Sequence, residues 1–429
     1  MIGDQALTAR RFTIPVIALV SCMVLACGAP TGRQVRGEAA PVIVNETDDA
    51  DAVAALNAFA LDLGSTLTAM EGNVALAAYP IARGLAMARA GARNETRAAL
   101  DRVLRVGQTA DFDVELAAVE QSLVEREGER RNATRKGPIS MAMPSVLWAQ
   151  EETRFMPEFL DALSAYYDVG VRVVDFRSDP DEARHAINRW ASNETQGSVE
   201  LLVPRGGVTD FTRFVAASAG SVKAPWAVRF DPDETARDPF TRLDGQTIPT
   251  TSMTVRDSGS IRSATTVDWD AVELPYLGGE LAMLLVVPAP GRFGDVAAAF
   301  DIEAFRTVTG ALAPRPVELR MPRFEFSSVV NLDEELSSLG LSDLFANERA
   351  DFAGVTDDEA LDLSDVVHGT YAAADEEGTD GEAVTVVRPN LAAPVGVTHI
   401  DIDRPFLFLV RDRVSGLILQ FGRVLEPQG

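Results

Sequence analysis

Ten residues near the end of the chain, 379–388, separate small side chains from charged ones with a period of two. One alternating set holds Thr379, Gly381, Ala383, Thr385 and Val387, and the other holds Asp380, Glu382, Val384, Val386 and Arg388. Successive side chains of a β-strand point to opposite faces. A slip by one residue would bury two unpaired carboxylates, at several kcal/mol each. The pattern therefore predicts a strand that fits a sheet in one phase, with its small set against a core.

The next residues have the composition of an exposed loop. Residues 389–397 contain two prolines, a glycine and three alanines or leucines, which give a core little to bury. Two apolar runs follow, 406–410 and 417–424, joined by a polar turn at Ser415-Gly416. These runs predict a closing β-hairpin.

The order of these segments resembles that of a known family. Glu376-Glu377-Gly378-Thr379, small residues, an exposed loop and Arg404-Pro405-Phe406-Leu407-Phe408-Leu409 are similar to the hinge, reactive loop and C-terminal strands of serpins. The resemblance runs from about residue 56 to 427. It implies an α+β fold with one serpin-like domain, a large central β-sheet, further sheets, about nine helices and an exposed reactive loop.

Two other runs carry the same resemblance. Lys223-Ala-Pro-Trp226 and Phe230-Asp231-Pro232, with Thr235 after them, match a serpin run in which Trp226 would lie where the loop first inserts into the sheet. Residues 73–81 are similar to the helix beneath the main sheet, and His368 matches a histidine that bonds across strands at the gate of that sheet. Two departures are clear: Ala77-Ala78-Tyr79-Pro80 lacks both gate serines, and Ser218 replaces an asparagine.

The resemblance implies a protease inhibitor that acts as a suicide substrate. A serine or cysteine protease would cleave the loop and form an acyl-enzyme, and the cleaved loop would become a new strand of the main sheet. The residues that would enter first form the hinge: Glu376, Gly378, Thr379, Gly381 and Ala383. No cofactor is expected, and we expect a monomer whose partner is a serine or cysteine protease.

The position of the cleaved bond follows from spacing and side-chain size. Counting forward from Gly378 by the family's spacing places the cut after Ala392, whereas counting back from Arg404 places it near Pro394. Arg388 is followed by a proline, which disfavours a trypsin-like protease. The small residues around Ala392-Ala393, with Leu391-Ala392 as next choice, suit the shallow pocket of an elastase-like or subtilisin-like enzyme.

An alternative is a non-inhibitory serpin, a surface binding or structural protein whose loop is only cleaved. The missing gate serines, the charged Glu382 and the donor-less Pro389 favour it. The small inward face of residues 379–387 favours inhibition instead. Because function does not follow from fold, both hypotheses stay open here.

An enzyme is not expected. The sequence has no nucleophile elbow, zinc-binding helix, phosphate loop or dinucleotide glycine pattern. Its three histidines are His185 in a surface helix, His368 in the gate and His399 after the loop, and none predicts a catalytic base.

The charge of the chain limits its partners. It has 64 acidic and 39 basic residues, which argues against nucleic acid and anionic lipid surfaces. Residues 125–137 are a charged loop rich in arginine; we interpret it as a solvated insertion, with a heparin-like cofactor patch as the alternative.

Alternation also marks a strand further back. Val317, Leu319 and Met321 alternate with charged residues, after which the apolar phase shifts to Phe324 and Phe326. A β-bulge at Pro322 would explain this shift within one strand.

The start of the chain predicts export. Arg10 and Arg11 precede an apolar run, 12–26, that suits a signal peptide. The residues around Cys27 resemble a bacterial lipobox, with Cys22 as the alternative lipidation site, and simple secretion after cleavage near Ala29 is the other reading. We expect a signal peptide at 1–26, a flexible tether at 27–50 and a serpin-like domain at 51–429 with its reactive loop at about 378–404. The location would be the outer membrane or cell surface, through a lipid tether on Cys27, or the extracellular space.

Overall fold

The computed structural model describes residues 32–44, 49–67, 70–345, 349–358, 360–379 and 396–427, and the backbone of 384–385. Nine α-helices lie within these residues. They are α1 (Ala50–Thr66), α2 (Ala78–Gly91), α3 (Asn94–Val103), α4 (Phe112–Val124), α5 (Pro157–Tyr167), α6 (Pro180–Glu194), α7 (Phe293–Ala298), α8 (Ile302–Ala311) and α9 (Asp333–Leu336).

The strands of the described residues form three sheets. They are β1 (Arg33–Val35), β2 (Val74–Leu76), β3 (Gly128–Arg131), β4 (Arg135–Ala142), β5 (Ser145–Gln150), β6 (Val171–Val174), β7 (Phe214–Pro225), β8 (Asp231–Thr241), β9 (Thr247–Asp257), β10 (Arg262–Thr265), β11 (Trp269–Pro275), β12 (Leu281–Pro288), β13 (Ala313–Pro314), β14 (Val317–Pro322), β15 (Phe324–Asn331), β16 (Asp365–Ala374), β17 (Gly378–Thr379), β18 (Val384–Thr385), β19 (Thr398–Asp401), β20 (Phe406–Asp412) and β21 (Ile418–Val424).

The main sheet has the order β1-β6-β5-β7-β16-β15, with β4 and β17 also paired to β7, and with β3 and β18 paired to β4. Its central strands β7 and β16 are parallel and pair residues 215–220 with residues 365–370. Parallel strands are usually buried on both faces. This pair of strands is where a new strand would have to enter.

Strand β7 is covered on both faces by different cores. Its residues Phe214, Ala216, Val222 and Ala224 belong to the large core shared with α1, α2 and the second sheet. Val215, Ala217 and Ala219 belong to a smaller core beneath α6, which begins at a Pro180 turn capped by Asp179. The alternation of the strand therefore assigns each residue to one of two buried layers.

The other two sheets complete an α+β domain. The order β13-β10-β11-β12-β20-β21-β2 includes the continuously buried strand β12 and the closing hairpin β20-β21, both of which were expected from apolar runs. The order β19-β14-β9-β8 forms a smaller sheet next to the exit of the reactive loop. The expected fold class, with a large central sheet and further sheets, is confirmed.

The expected bulge at Pro322 is wrong. Strand β14 pairs with β9 and β19 in the small sheet, whereas β15 pairs with β16 in the main sheet. The chain thus leaves one sheet at Pro322 and joins the other at Phe324, whose ring is buried. The apolar phase shifts because the strand changes its partners and its core, and not because one strand contains an extra residue.

Part of the segment expected to be a flexible tether is packed on the domain instead. Strand β1 pairs antiparallel with the edge strand β6, and the N–H of Gly37 donates to Ser164 Oγ at 3.0 Å. A side chain at Gly170 would lie 2.2 Å from the Val35 carbonyl oxygen, so glycine permits this close approach. An unpaired sheet edge offers free backbone groups, which explains the pairing.

No helix among the residues described is long and apolar enough to cross a membrane. Residues 31–429 form one compact unit. Cys22 and Cys27, the two expected lipidation positions, lie outside the described residues.

Candidate functional site

The chain reverses direction directly after β16. Asp375 Oδ1 accepts the N–H groups of Glu377 at 2.8 Å and Gly378 at 2.9 Å, and the Asp375 N–H donates to the Gly378 carbonyl at 3.0 Å. An aspartate that accepts backbone N–H groups two and three residues later stabilises a tight turn. The turn brings Gly378 and Thr379 alongside β7 as strand β17.

Strand β17 lies beside the C-terminal end of β7, beyond the residues at which β7 pairs with β16. We call this end the top of the main sheet. Strand β17 pairs antiparallel with β7, Gly378 opposite Pro225 and Thr379 opposite Ala224. A side-chain carbon at Gly378 would lie 2.2 Å from the Ala224 carbonyl oxygen, so only glycine fits there. Two of the expected hinge residues, Gly378 and Thr379, are therefore ladder-paired in the intact protein.

Three aromatic residues lie next to β17: Trp226, Tyr276 and Phe230. Together with Thr379 of β17 we call them the hinge cluster. The Trp226 and Tyr276 rings stack with centroids 4.6 Å apart, and Phe230 lies edge-on to Trp226. Trp226 Nε1 donates to the Asp375 carbonyl at 2.8 Å. Thr379 is fully buried and hydrogen-bonds the Tyr276 hydroxyl. Burial raises the pKa of Tyr276, so its hydroxyl stays protonated.

Two glutamates anchor the same turn. The Glu376 carboxylate accepts from Arg323 and from the Thr235 hydroxyl. Burial alone would raise the pKa of Glu376, but these two hydrogen bonds outweigh it and hold the pKa below its usual value. Glu377 pairs with Arg135 at 2.7 Å and with Arg229 at 2.5 Å. Both glutamates of the turn are thus paired with arginines.

A second group, the gate cluster, lies lower in the sheet and consists of His368, Ser218, Thr370 and Ala77. His368 Nε2 faces the Ala77 backbone N–H at 3.0 Å and also the Thr370 hydroxyl, and Nδ1 lies 2.8 Å from Ser218 Oγ. A backbone N–H can only donate, so Nε2 is the acceptor and Nδ1 carries the proton that is donated to Ser218. His368 thus links β16, β7 and the residue before α2.

The Ser218–His368 pair cannot act as a hydrolase site. Both residues are buried, and the proton runs from histidine to serine, opposite to what an activated serine nucleophile needs. His185 and His399 are exposed and lie beside carboxylates of the same chain. Ser218 and His368 join two strands in the sheet interior, which is a structural role.

The free energy of unfolding should depend on pH through the ionisation of His368. Burial lowers its pKa from 6.5 to about 3. Between these values the unfolded chain binds a proton that the folded protein does not, so the folded state loses ~1.4 kcal/mol per pH unit as the pH falls. We expect the stability advantage of wild type over His368→Asn, measured by urea unfolding, to shrink from pH 6.5 to pH 4.

The free energy of unfolding also depends on pH through a nearby acid, Asp365, so the effect of His368 is obtained from the difference between wild type and variant. Burial and the nearby Asp333 raise the pKa of Asp365 to about 7, so its contribution changes in the opposite direction and falls as the pH rises from 3.8 to 7. The control is His185→Asn, which removes an exposed imidazole outside the gate cluster and leaves the hydrogen bonds of His368 intact. A constant difference between wild type and His368→Asn would contradict the assigned role.

The arginine-rich segment 125–137 is a β-hairpin rather than the loop that the sequence indicated. Strands β3 and β4 pair residues 128–131 with residues 136–139. Three of its arginines pair with acids of the same chain: Arg126 with Asp412, Arg130 with Glu280 and Arg135 with Glu377. These ion pairs neutralise arginine charges that a heparin-like patch would need to present to its ligand.

The structure thus brings some expected site residues together. Glu376, Gly378, Thr379 and Trp226 meet at the top of the sheet, and Ser218 and His368 meet at the gate. Gly381, Ala383 and the expected cleavage residues Leu391, Ala392 and Ala393 lie outside the described residues. Sequence reasoning missed six residues of the site: Tyr276, Thr370, Asp375, Arg135, Arg229 and Arg323. Of these, only Arg135 stood in a segment with a visible signal, its charge.

Within the described residues, a large main sheet, two further sheets and nine α-helices, with the short strand β17 folded back along the end of β7, define an α+β protein of one architectural class. A family model described as serpin (serine protease inhibitor) matches residues 54–427. The chain belongs to the serpin family.

Relatives and solved structures agree with this assignment. The chain is 28% identical over 389 residues to an uncharacterised serpin-like protein of Thermococcus kodakarensis, covering 90% of this chain and 88% of that one. It is 30% identical over 390 residues to leukocyte elastase inhibitor of Bos taurus, covering 87% and 99%. Uncleaved ovalbumin superposes with a TM-score of 0.77 at 25% identity, covering 88% and 100%. The family contains protease inhibitors.

Proposed function

We propose that this protein inhibits a serine or cysteine protease as a suicide substrate, by inserting its cleaved loop between β7 and β16. The observation that carries the proposal is strand β17, which pairs with β7 in the intact protein and buries Thr379. Insertion would extend an existing ladder rather than begin a new one. Extension adds a hydrogen bond with each step, whereas nucleation orders residues before any bond forms.

The existing pairs fix the register of the extension. Each further loop residue would lie opposite the preceding residue of β7, so that Ala383 would face Gly220, Thr385 would face Ser218 and Val387 would face Ala216. Paired residues of antiparallel strands point to the same face. The small set would therefore enter the layer above α2, where a side chain at Gly220 would lie 2.2 Å from Ala77 Cβ.

The same register suits the other face of the stretch. Asp380 and Glu382 would lie opposite Lys223 and Ser221, above the region that α6 covers. Val384 and Val386 would lie opposite Ala219 and Ala217, whose side chains belong to the core beneath α6. Val384 and Val386 would thus meet an apolar environment and Asp380 would lie opposite a lysine, whereas Glu382 would lie opposite a buried serine, which keeps Glu382 as an argument for the alternative function.

The register also places Pro389 where its missing N–H matters least. Pro389 would lie opposite Phe214, the first residue of β7. Ten loop residues, 379–388, would pair before the proline is reached. A proline at the end of a strand removes no hydrogen bond from the interior of the ladder.

The chemistry of the first step is that of an ordinary substrate. The protease nucleophile attacks the carbonyl carbon of the cleaved bond, the C–N bond breaks, and the new amine takes a proton from the enzyme's histidine. The N-terminal side of the loop stays esterified to the protease. Insertion then carries the ester away from its starting position, and the inserted strand forms backbone hydrogen bonds with its neighbours in the main sheet.

The composition of the loop favours a protease with a small apolar pocket, a class consistent with the relative whose name is leukocyte elastase inhibitor. We expect an elastase-like or subtilisin-like enzyme to cleave between Ala392 and Ala393. Intact-mass analysis of the released C-terminal fragment tests the site. A fragment that begins at Ala393 supports the choice, one that begins at Ala392 supports the second choice, and one that begins at Pro389 would contradict the proline argument.

The experiment that tests the function is a denaturing gel after the protein is mixed with an elastase-like protease. A band at the summed mass, absent when the protease serine is blocked beforehand, shows the covalent complex. Cleavage without such a band would favour a non-inhibitory protein whose loop is merely cut, the alternative to which the absent hydroxyls at Ala77 and Pro80 point.

A further inference from the structure

The β3–β4 hairpin, residues 128–142, is fixed to the main sheet at both ends. At its base, Ser140, Met141 and Ala142 pair with β7 residues 221–223. At its tip, Asn132 Oδ1 accepts the N–H groups of Thr134 and Arg135, and Asn132 Nδ2 donates to the Ala227 carbonyl at 2.9 Å. The hairpin therefore has a defined position beside the point of loop insertion.

Arg135 at the start of β4 binds the hinge. Its side chain is buried, and its guanidinium donates to the Trp226 carbonyl and to the Glu377 carboxylate. Charge-assisted hydrogen bonds of a buried arginine are strong and directional. Arg135 thus joins the end of β7 to the turn that begins the reactive loop.

The same hairpin pairs with the loop further along. Strand β18 lies antiparallel to β4, with Val384 opposite Lys136 and Thr385 opposite Arg135. One short segment, 135–136, therefore holds the reactive loop at two positions: the Glu377 side chain and the backbone of 384–385.

The pairing of β18 with β4 excludes the inserted position of residues 384–385. In the register of β17, residues 384 and 385 would pair with Ala219 and Ser218. The pairing of β4 with β7 places Lys136 and Arg135 level with residues 227 and 228, so Val384 would move by eight positions and Thr385 by ten. At 3.3 Å per residue this is a displacement on the order of 25–35 Å. A backbone segment cannot pair at both places, so the two arrangements are alternatives.

From this we infer that the β3–β4 hairpin holds the reactive loop outside the sheet, and that Arg135 positions the hairpin for this role. Insertion requires residues 384–385 to leave β4 and to pair with β7 instead. The inference rests on the proposed function for its use in inhibition. The change of pairing partner from β4 to β7 is needed for any insertion of the cleaved loop, whether or not a protease is inhibited.

A reversible cross-link tests the exchange. In a Cys22→Ser, Cys27→Ser background, Lys136→Cys with Val384→Cys joins the loop to the hairpin on oxidation. We expect the oxidised protein to be cleaved without forming a covalent complex and without the rise in thermal midpoint that insertion causes, and reduction to restore both. Glu129→Cys with Pro138→Cys, a cross-link within the hairpin, should change neither.

The outcomes separate the two proposals. If the oxidised protein forms the complex and gains thermal stability on cleavage as the reduced one does, the holding role is wrong. If the reduced protein gains stability on cleavage but forms no complex, the inhibitory function fails and the exchange stands. If cross-linking at 136 and 384 does not occur under oxidation, the pairing of β18 with β4 is wrong.

Arg135 is tested by the rate at which the uncleaved loop inserts. Arg135→Gln should lose inhibitory capacity during warm incubation about tenfold faster than wild type, because the hairpin that pairs with residues 384–385 loses its charge-assisted bonds to Trp226 and Glu377. Arg135→Lys should restore part of the difference. Arg131→Gln removes the same charge from an exposed position on the same hairpin and should match wild type. Equal rates for Arg135→Gln and Arg131→Gln would overturn the assignment.

Discussion

Thr379→Arg is expected to abolish the covalent complex with the target protease and to leave a protein that is cleaved as a plain substrate. Thr379 is fully buried, and its hydroxyl bonds Tyr276 inside the hinge cluster. An arginine there would have to bury an unpaired charge for the strand to insert, which is far costlier than leaving the loop outside. The measurement is the ratio of complex to cleaved protein on a denaturing gel.

Asp380→Arg is the matched control, because alternation places residue 380 on the opposite face from Thr379. It should form the complex nearly as wild type does. Thermal unfolding of both intact variants shows whether each is folded. Equal loss of complex in the two variants would contradict the phase in which the loop is proposed to insert.

Trp226→Ala is expected to lower the free energy of unfolding by about 3–5 kcal/mol. The indole is buried, stacks on Tyr276 and donates to the Asp375 carbonyl, so its removal leaves a cavity and an unpaired acceptor. Urea unfolding followed by circular dichroism measures the loss.

Two further variants separate the causes of this effect. Trp226→Phe keeps an aromatic ring but removes the N–H, and should cost about 1 kcal/mol for the lost hydrogen bond. Trp269→Ala removes a half-buried tryptophan elsewhere and should cost less than Trp226→Ala. A Trp226→Ala variant as stable as Trp269→Ala would show that the hinge cluster contributes little to stability.

The sequence was most informative where one pattern had one physical solution. The alternation of residues 379–388 admitted a single phase because only one face lacks charge, and the structure places Thr379 on the buried face. The apolar run of β12 likewise had to be covered on both faces. In both cases a wrong arrangement would bury charge or expose a core.

The sequence was least informative about partners that are distant along the chain. Arg135 and Glu377 are separated by 242 residues, and their pairing depends on where the β3–β4 hairpin lies in the finished sheet. Tyr276 follows an unrelated strand and gives no local signal. The shift of phase at Pro322 fits a bulge and a change of sheet equally well until the pairing of β14 and β15 is known.

The insertion register can be observed directly by solving the structure of the protein after its loop has been cleaved. The proposal expects a new strand antiparallel to β7, with Thr385 opposite Ser218, and loss of the pairing between residues 215–220 and 365–370. A cleaved structure in which β7 and β16 remain paired over those residues would contradict it.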